Sequence, residues 1–385
     1  MTIEIHGVCD PRFEPLKTAF AANFDDGLEL GASVAVTHQG RTVADLWAGW
    51  ADPEKTVPWD RDTIVPVAST TKIMVAVSAL RLVDQGLLDL DAPLSAYWPD
   101  FAQGGKAHVT VREAFSHQAG VPGFDPPIDP DLTFDWDAVT ARVAAEPHWF
   151  GGRRKICYHA HTYGFILGEL IRRVDGRGPR QYFREEIARP AGADFQLGLT
   201  DQADVARLAS LMPPPPLLPA SAFPPGALAA RYFASFATGH GLRGFGTPSW
   251  EELAREHPSI VGLGNGRSIA RVCAILAMNG ELDGVRYISP ATVAEAGRTQ
   301  GEGVDIALGP LRMGLGFGLH SEHFPAPTPT CMHWGGTGGS MGLADPATGV
   351  SFGYAPNNWS LGGVSREDPR LRRLLNALQS LLPTL

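Results

Sequence analysis

Ser69-Thr70-Thr71-Lys72 stands at the head of the run Ile73-Met74-Val75-Ala76-Val77-Ser78-Ala79-Leu80. A serine hydroxyl is a poor nucleophile until a neighbour takes its proton, and an amine whose pKa is lowered by burial can do so. The run reads as an apolar helix that ends near Gly86, after Leu82 and Val83. Ser69 then lies at the helix N-terminus, with Lys72 one turn on and on the same face. The free N–H groups and the dipole of that terminus favour the oxyanion formed in acyl transfer. An S-x-x-K tetrad arises about once by chance in a chain of this length, and then means a capping serine and a surface lysine. Context argues against that here: the chain has only five lysines, Lys17, Lys55, Lys72, Lys106 and Lys155, and one of them heads its most apolar helix.

Elements at both chain ends can frame such a site. Asp10 as a cap and Pro11 at the first helical position predict a helix with Phe13, Leu16, Phe20 and Phe24 on one face. Ala32 to Thr37 and Thr42 to Trp47 are β-prone and flank His38-Gln39-Gly40-Arg41, which reads as a hairpin. A second hairpin is expected where Met341 to Ala344 and Val350 to Tyr354 flank Asp345-Pro346-Ala347-Thr348-Gly349. A last helix puts Leu371, Leu374, Leu375, Leu378 and Leu382 on one stripe. The expectation is one antiparallel sheet built from the two termini and flanked by helices.

Between these ends, roughly residues 65 to 300 read as helices joined by Gly- and Pro-rich loops, for example Thr162 to Val174 and Arg267 to Asn279. The segment from Pro213-Pro214-Pro215-Pro216 to Pro224-Pro225-Gly226 cannot be helix interior or central strand, because proline lacks the amide donor. It reads as a stiff surface loop, with a wall of the substrate cleft as the alternative.

Composition narrows the class. The 385 residues are 44% hydrophobic and 19% charged, as in folded globular proteins, and suffice for one large or two closely packed domains. The net charge of −9 comes without a basic, aromatic-interleaved patch, so nucleic acid is not the expected partner. The first thirty residues lack a positive start and an apolar run, and no stretch reaches about 18 uninterrupted apolar residues, so no membrane contact and a cytoplasmic location are expected. Cys9, Cys157, Cys273 and Cys331 stand far apart without CxxC spacing and are expected as free thiols. Nothing in the sequence speaks to oligomeric state.

Val67-Ala68-Ser69-Thr70-Thr71-Lys72 followed by Leu82-Val83-Asp84-Gln85-Gly86-Leu87-Leu88-Asp89-Leu90-Asp91 resembles the nucleophile helix of serine β-lactamases and their esterase relatives. Val109-Thr110-Val111-Arg112-Glu113-Ala114-Phe115-Ser116-His117-Gln118-Ala119-Gly120-Val121-Pro122 is similar to the segment after that helix, and Asn279 to Arg286 to a late helix-to-strand turn. The resemblance spans about residues 30 to 355. It implies a tyrosine that accepts or relays a proton in a Tyr-x-Asn motif, for which Tyr158 is the candidate, although Ala160 stands in the asparagine position. A tyrosine near pKa 10 serves as a base only if a cation stabilises its phenolate, which Lys72 could provide. A core tyrosine is the alternative.

The family's third motif, Lys-Thr-Gly, is missing, since no lysine follows Lys155; Trp334-Gly335-Gly336 takes its place. That variant looks like the family VIII carboxylesterases. Without the lysine and threonine that hold a β-lactam carboxylate, neutral esters become the better substrates. The resemblance further implies an oxyanion hole from the N–H groups of Ser69 and Thr337, with glycines allowing a close approach. His333 is a rival occupant of the lysine position if the register slips by one.

Three motifs compete. Gly338-Gly339-Ser340-Met341-Gly342 matches the G-x-S-x-G elbow of α/β-hydrolases, but no histidine follows Ser340 and the motif runs into a hairpin rather than a helix. His159 and His161 lack the companions of a zinc site. Gly262-Leu263-Gly264-Asn265-Gly266 lacks the fingerprint of a phosphate loop and reads as a turn leading into a helix.

The fold class expected is therefore α+β of the β-lactamase/transpeptidase type, with residues 1–100 and 260–385 forming an α/β domain, 101–259 a mainly helical domain, and the site between them. The function expected is a serine carboxylesterase acting on small, short-chain esters through an acyl-enzyme on Ser69, with no metal or organic cofactor. A transacylase, a weak β-lactamase or peptidase, and a non-catalytic binding protein of the same fold are the alternatives.

Overall fold

The computed structural model describes residues 3–212, 220–224, 226–235, 248–359 and 368–384. The prolines at 213–216 and Pro225 lie outside these residues, so the reading of that loop is not addressed by the structure.

A nine-stranded antiparallel sheet forms the frame. Its strands are β1 (His6–Cys9), β2 (Gly31–His38), β3 (Arg41–Gly49), β4 (Gly301–Asp305), β5 (Gly309–Met313), β6 (Gly318–Leu319), β7 (Met332–Gly335), β8 (Met341–Asp345) and β9 (Val350–Pro356). They lie in the order β1-β3-β2-β9-β8-β7-β6-β5-β4, so strands from the two chain ends meet at β2 and β9 in the middle of the sheet. Both expected hairpins are present. Gln39 and Gly40 turn the first with φ of 50° and 74°, the pair of positive values that matches the twist of a two-residue hairpin. Edge strand β1 and the run β4 to β6 had no clear sequence signal, because they are short and glycine-rich.

Five helices carry most of the packing: α1 (Glu14–Asp25), α2 (Thr71–Asp84), α3 (Thr162–Asp175), α4 (Gly266–Ala277) and α5 (Pro369–Leu381). Asp10 caps a short 3-10 turn over Pro11–Phe13 and the α-helix begins only at Glu14, later than the cap alone suggests. Asn265 caps α4 through Ser268, as expected of a turn leading into a helix.

Strand alternation divides the core. Val34, Val36, Leu46, Leu343 and Phe352 face α1 and α5, where they meet Phe13, Leu16, Phe20, Leu371, Leu374 and Leu378. Met332, Trp334 and Ala344 face the other way and join one continuous core with α2, α3 and α4. Phe20 is fully buried and meets Phe24 edge-on at 5.2 Å. Phe20→Ala is expected to lower the free energy of unfolding by about 3–5 kcal/mol, read from urea denaturation.

Residues between the two parts of the sheet form helices and loops, with a small sheet in which Gly262–Gly264 pairs Val65–Pro66 on one side and Gln196–Leu197 on the other. No helix among the described residues is long and apolar enough to cross a membrane. All four cysteines are free.

Candidate active site

Helix α2 is apolar on every side, with Ile73 to Leu80 all buried, so it can only lie inside the protein. A 3-10 turn, Ala68–Thr70, leads into it and carries Ser69, which is 6% exposed. Ala68 holds a left-handed φ of 45°, a strained conformation for a residue with a side chain. In the first turn of a helix the N–H of Ser69 has no intrahelical acceptor to reach.

Lys72 is 1% exposed and its Nζ lies 3.0 Å from Ser69 Oγ, 2.8 Å from the Ala160 carbonyl and 3.0 Å from the Ser259 carbonyl. Burial drives its pKa well below the usual lysine value, and no carboxylate among the described residues opposes that shift. A neutral amine has two N–H donors and one lone pair. The two carbonyls take the donors, which leaves the lone pair to accept the Ser69 hydroxyl proton. Once protonated, the ammonium still finds an oxygen for each of its three N–H groups.

Tyr158 completes the group, its hydroxyl donating to Ser69 Oγ at 2.7 Å. Its main chain is held on both sides: Asp305 Oδ2 accepts from the Tyr158 N–H at 2.5 Å, and the Tyr232 hydroxyl donates to the Tyr158 carbonyl at 3.0 Å. Asp305 also takes the N–H groups of Ala307 and Leu308, which fixes the β4–β5 turn against this segment.

The expectation of a phenolate stabilised by a lysine cation runs against the direction in which burial shifts both groups. Burial pushes the Tyr158 phenol above its usual pKa, against a downward pull from its hydrogen bond to Ser69. The same burial draws Lys72 well below the usual lysine range, and it lowers the neighbouring His117 and His159 too, His159 to about 3. Both shifts favour the uncharged forms, an amine and a phenol. That arrangement suits Lys72 as the proton acceptor and Tyr158 as a relay.

The Beta-lactamase family model matches residues 20–377. The chain belongs to the Beta-lactamase family. Esterase/beta-lactamase LipL of Mycobacterium tuberculosis is 35% identical to it over 361 residues, which cover 92% of this chain and 83% of LipL. A crystal structure of a family VIII carboxylesterase superposes with a TM-score of 0.87 at 35% identity, covering 98% of this chain and 100% of that one. A penicillin-binding protein homologue from Caulobacter crescentus gives 0.89 at 37% identity, with the same coverage.

In this member of the Beta-lactamase family, β7 brings Trp334 to the site, its ring 5.4 Å from that of Tyr158. The indole N–H is buried and lies toward the Tyr158 hydroxyl, where it adds to the downward pull on that phenol's pKa. Gly335 pairs with Met341 at the end of β7. Gly336 then passes so close to α2 that a β-carbon on it would stand 2.1 Å from the Val67 carbonyl oxygen. Thr337 follows in the turn to β8, half-buried. His333 is not in the site: one residue from Trp334 it points through the opposite face of the sheet, stacked on Phe324 at 3.9 Å.

Ser340 is buried and bonded to Thr70 and Val67, and among the described residues it bonds to no imidazole, which fits the rejection of the elbow motif. His159 bonds to Val121 N–H and the Cys157 carbonyl, whereas His161 lies against His257, so the two rings share no ligand-binding point. No group of His, Cys, Asp and Glu among the described residues could hold a metal.

Several parts of the site had no sequence signature. The carbonyls of Ala160 and Ser259 act through the backbone, which every residue has. Asp305 lies 147 residues from Tyr158, and no local pattern links them.

Proposed function

We propose that this protein is a serine esterase that hydrolyses neutral, short-chain carboxylic esters through an acyl-enzyme on Ser69. The observation that carries the proposal is Ser69 Oγ, held between the buried Lys72 Nζ at 3.0 Å and the Tyr158 hydroxyl at 2.7 Å. Ser69 Oγ attacks the ester carbon as its proton passes to Lys72 Nζ. The N–H groups of Ser69 and Thr337 receive the oxyanion. Tyr158 gives its proton to the departing alkoxide and is reprotonated from the Lys72 ammonium. In the second half a water loses its proton to the same relay, attacks the acyl carbon, and the proton returns to Ser69.

Neutral substrates are favoured because Trp334 replaces the cation of the Lys-Thr-Gly motif, and because burial shifts Lys72, His117 and His159 toward their uncharged forms. The same reading takes 1–100 with 260–385 as one unit and 101–259 as another, with Ser69 and Lys72 from the first meeting Tyr158 from the second. β-Lactam hydrolysis is the second reading, favoured by the name of LipL.

p-Nitrophenyl butyrate and nitrocefin offered to the wild type separate the two. Ester turnover with slow or absent nitrocefin cleavage is expected. Nitrocefin turnover at equal efficiency would favour the lactamase reading, and inertness to both, with no labelling by a serine-reactive phosphonate, would point to a binding protein.

A further inference from the structure

We infer that Ser340, the serine of the rejected elbow motif, is a positioning residue that clamps the two halves of the oxyanion site together. The inference rests on Ser69 as nucleophile and on Ser69 and Thr337 as oxyanion donors. These two N–H groups come from segments far apart in sequence, and nothing covalent sets their spacing.

The side chain of Ser340 spans the gap. Its hydroxyl donates to the Val67 carbonyl at 2.8 Å, and its oxygen lies 2.8 Å from Thr70 Oγ1. One hydroxyl has one proton, so with Val67 as its acceptor the Thr70 hydroxyl must be the donor in the second bond. Val67 and Thr70 bracket Ala68-Ser69, the strained peptide and the nucleophile. Ser340 thus grips the chain on both sides of the reacting serine, from within a site where it is 3% exposed and Thr70 fully buried.

The other half of the clamp is the turn that bears Thr337. It is closed by Gly336 N–H to the Ser340 carbonyl at 2.8 Å and Gly339 N–H to the Gly336 carbonyl at 3.0 Å. Gly338 and Gly339 take φ of 109° and 108°, open only to glycine, and Arg370 donates to the Gly338 carbonyl at 3.1 Å. Arg370 is itself held by Asp368 at 2.8 Å and Glu29 at 3.1 Å. The turn is therefore rigid, and the Ser340 hydroxyl is the side-chain link that fixes it against the nucleophile. Its register matters because an oxyanion donor displaced by about an ångström loses much of its effect, on the order of a hundredfold in rate.

The test compares wild type, Ser340→Ala, Thr70→Val and the double variant, each checked for folding by circular dichroism. Steady-state kinetics with p-nitrophenyl butyrate are measured beside the affinity for 1-butaneboronic acid, whose adduct on serine mimics the tetrahedral oxyanion. Ser340→Ala is expected to lower kcat by about 10- to 100-fold with KM within about twofold, and to weaken boronate binding in proportion. The double variant is expected to lose little more than Ser340→Ala, since the two hydroxyls act as one link. Unchanged kcat, or a loss confined to KM, would overturn the inference. If Ser340→Ala does not fold, Thr70→Val, which cuts one bond of the link with an isosteric side chain, carries the same comparison. A wild type inert to the ester but binding the boronate sinks the ester reading alone, and the clamp is then judged on boronate affinity. A wild type that binds no boronate overturns both.

Discussion

Ser69→Ala is expected to abolish measurable ester turnover, with kcat/KM for p-nitrophenyl butyrate falling by roughly four to six orders of magnitude. The substitution removes one oxygen from a helix N-terminus whose surrounding core is untouched, so thermal unfolding should stay close to that of the wild type. Phosphonate labelling is lost with it. A Ser69→Ala variant that keeps even a tenth of wild-type activity would mean that the nucleophile lies elsewhere. Because Ser69, Lys72 and Tyr158 form one hydrogen-bonded group, a second substitution in the Ser69→Ala background is expected to cost almost nothing more.

Lys72→Met is expected to reduce kcat by roughly two to four orders of magnitude, the usual worth of a general base. Methionine fills similar apolar volume, but its thioether sulfur is a weak acceptor without the basicity to take the serine proton. The pH dependence carries the sharper prediction. With its folded-state pKa held well below the usual value, Lys72 is an amine above that lowered pKa and an ammonium below it. Wild-type kcat/KM should therefore rise with pH through the lowered pKa and be lost as pH falls through it, and the midpoint must lie well below the free lysine value of about 10.4. Stability has the same sign, since between the folded and unfolded pKa the unfolded chain binds more protons, and stability rises with pH across that window. Lys72→Met removes this component, so its melting temperature should equal or exceed that of the wild type at neutral pH. An acid limb that persists in residual Lys72→Met activity would assign the titration to another group.

Tyr158 marks the limit of reading a site by resemblance. Its position was legible because Cys157-Tyr158-His159 falls where the motif should, but its protonation depends on what surrounds it. The sequence suggested a nearby cation; the fold instead buries lysine, tyrosine and two histidines together, and desolvation shifts all four toward their uncharged forms. His333 shows a second limit. A one-residue uncertainty in strand register exchanges the faces of a sheet, and only the pairing of His333 with Leu343 and Trp334 with Gly342 assigns Trp334 to the site.

The sequence by itself determined the elements whose signals are local. Apolar periodicity set α2, α3, α4 and α5, turn chemistry set the two terminal hairpins, and the three-residue spacing of Ser69 and Lys72 set both on one helical face. Those signals depend only on neighbours along the chain. The tertiary structure decided everything that rests on distance in space between residues far apart in sequence. It supplied the Ala160 and Ser259 carbonyls that orient the lysine, the Asp305 and Tyr232 bonds that hold the tyrosine backbone, and the Ser340 link between Val67 and the Thr337 turn. Hydrogen bonds and desolvation act over a few ångströms, and only the folded chain brings these groups that close.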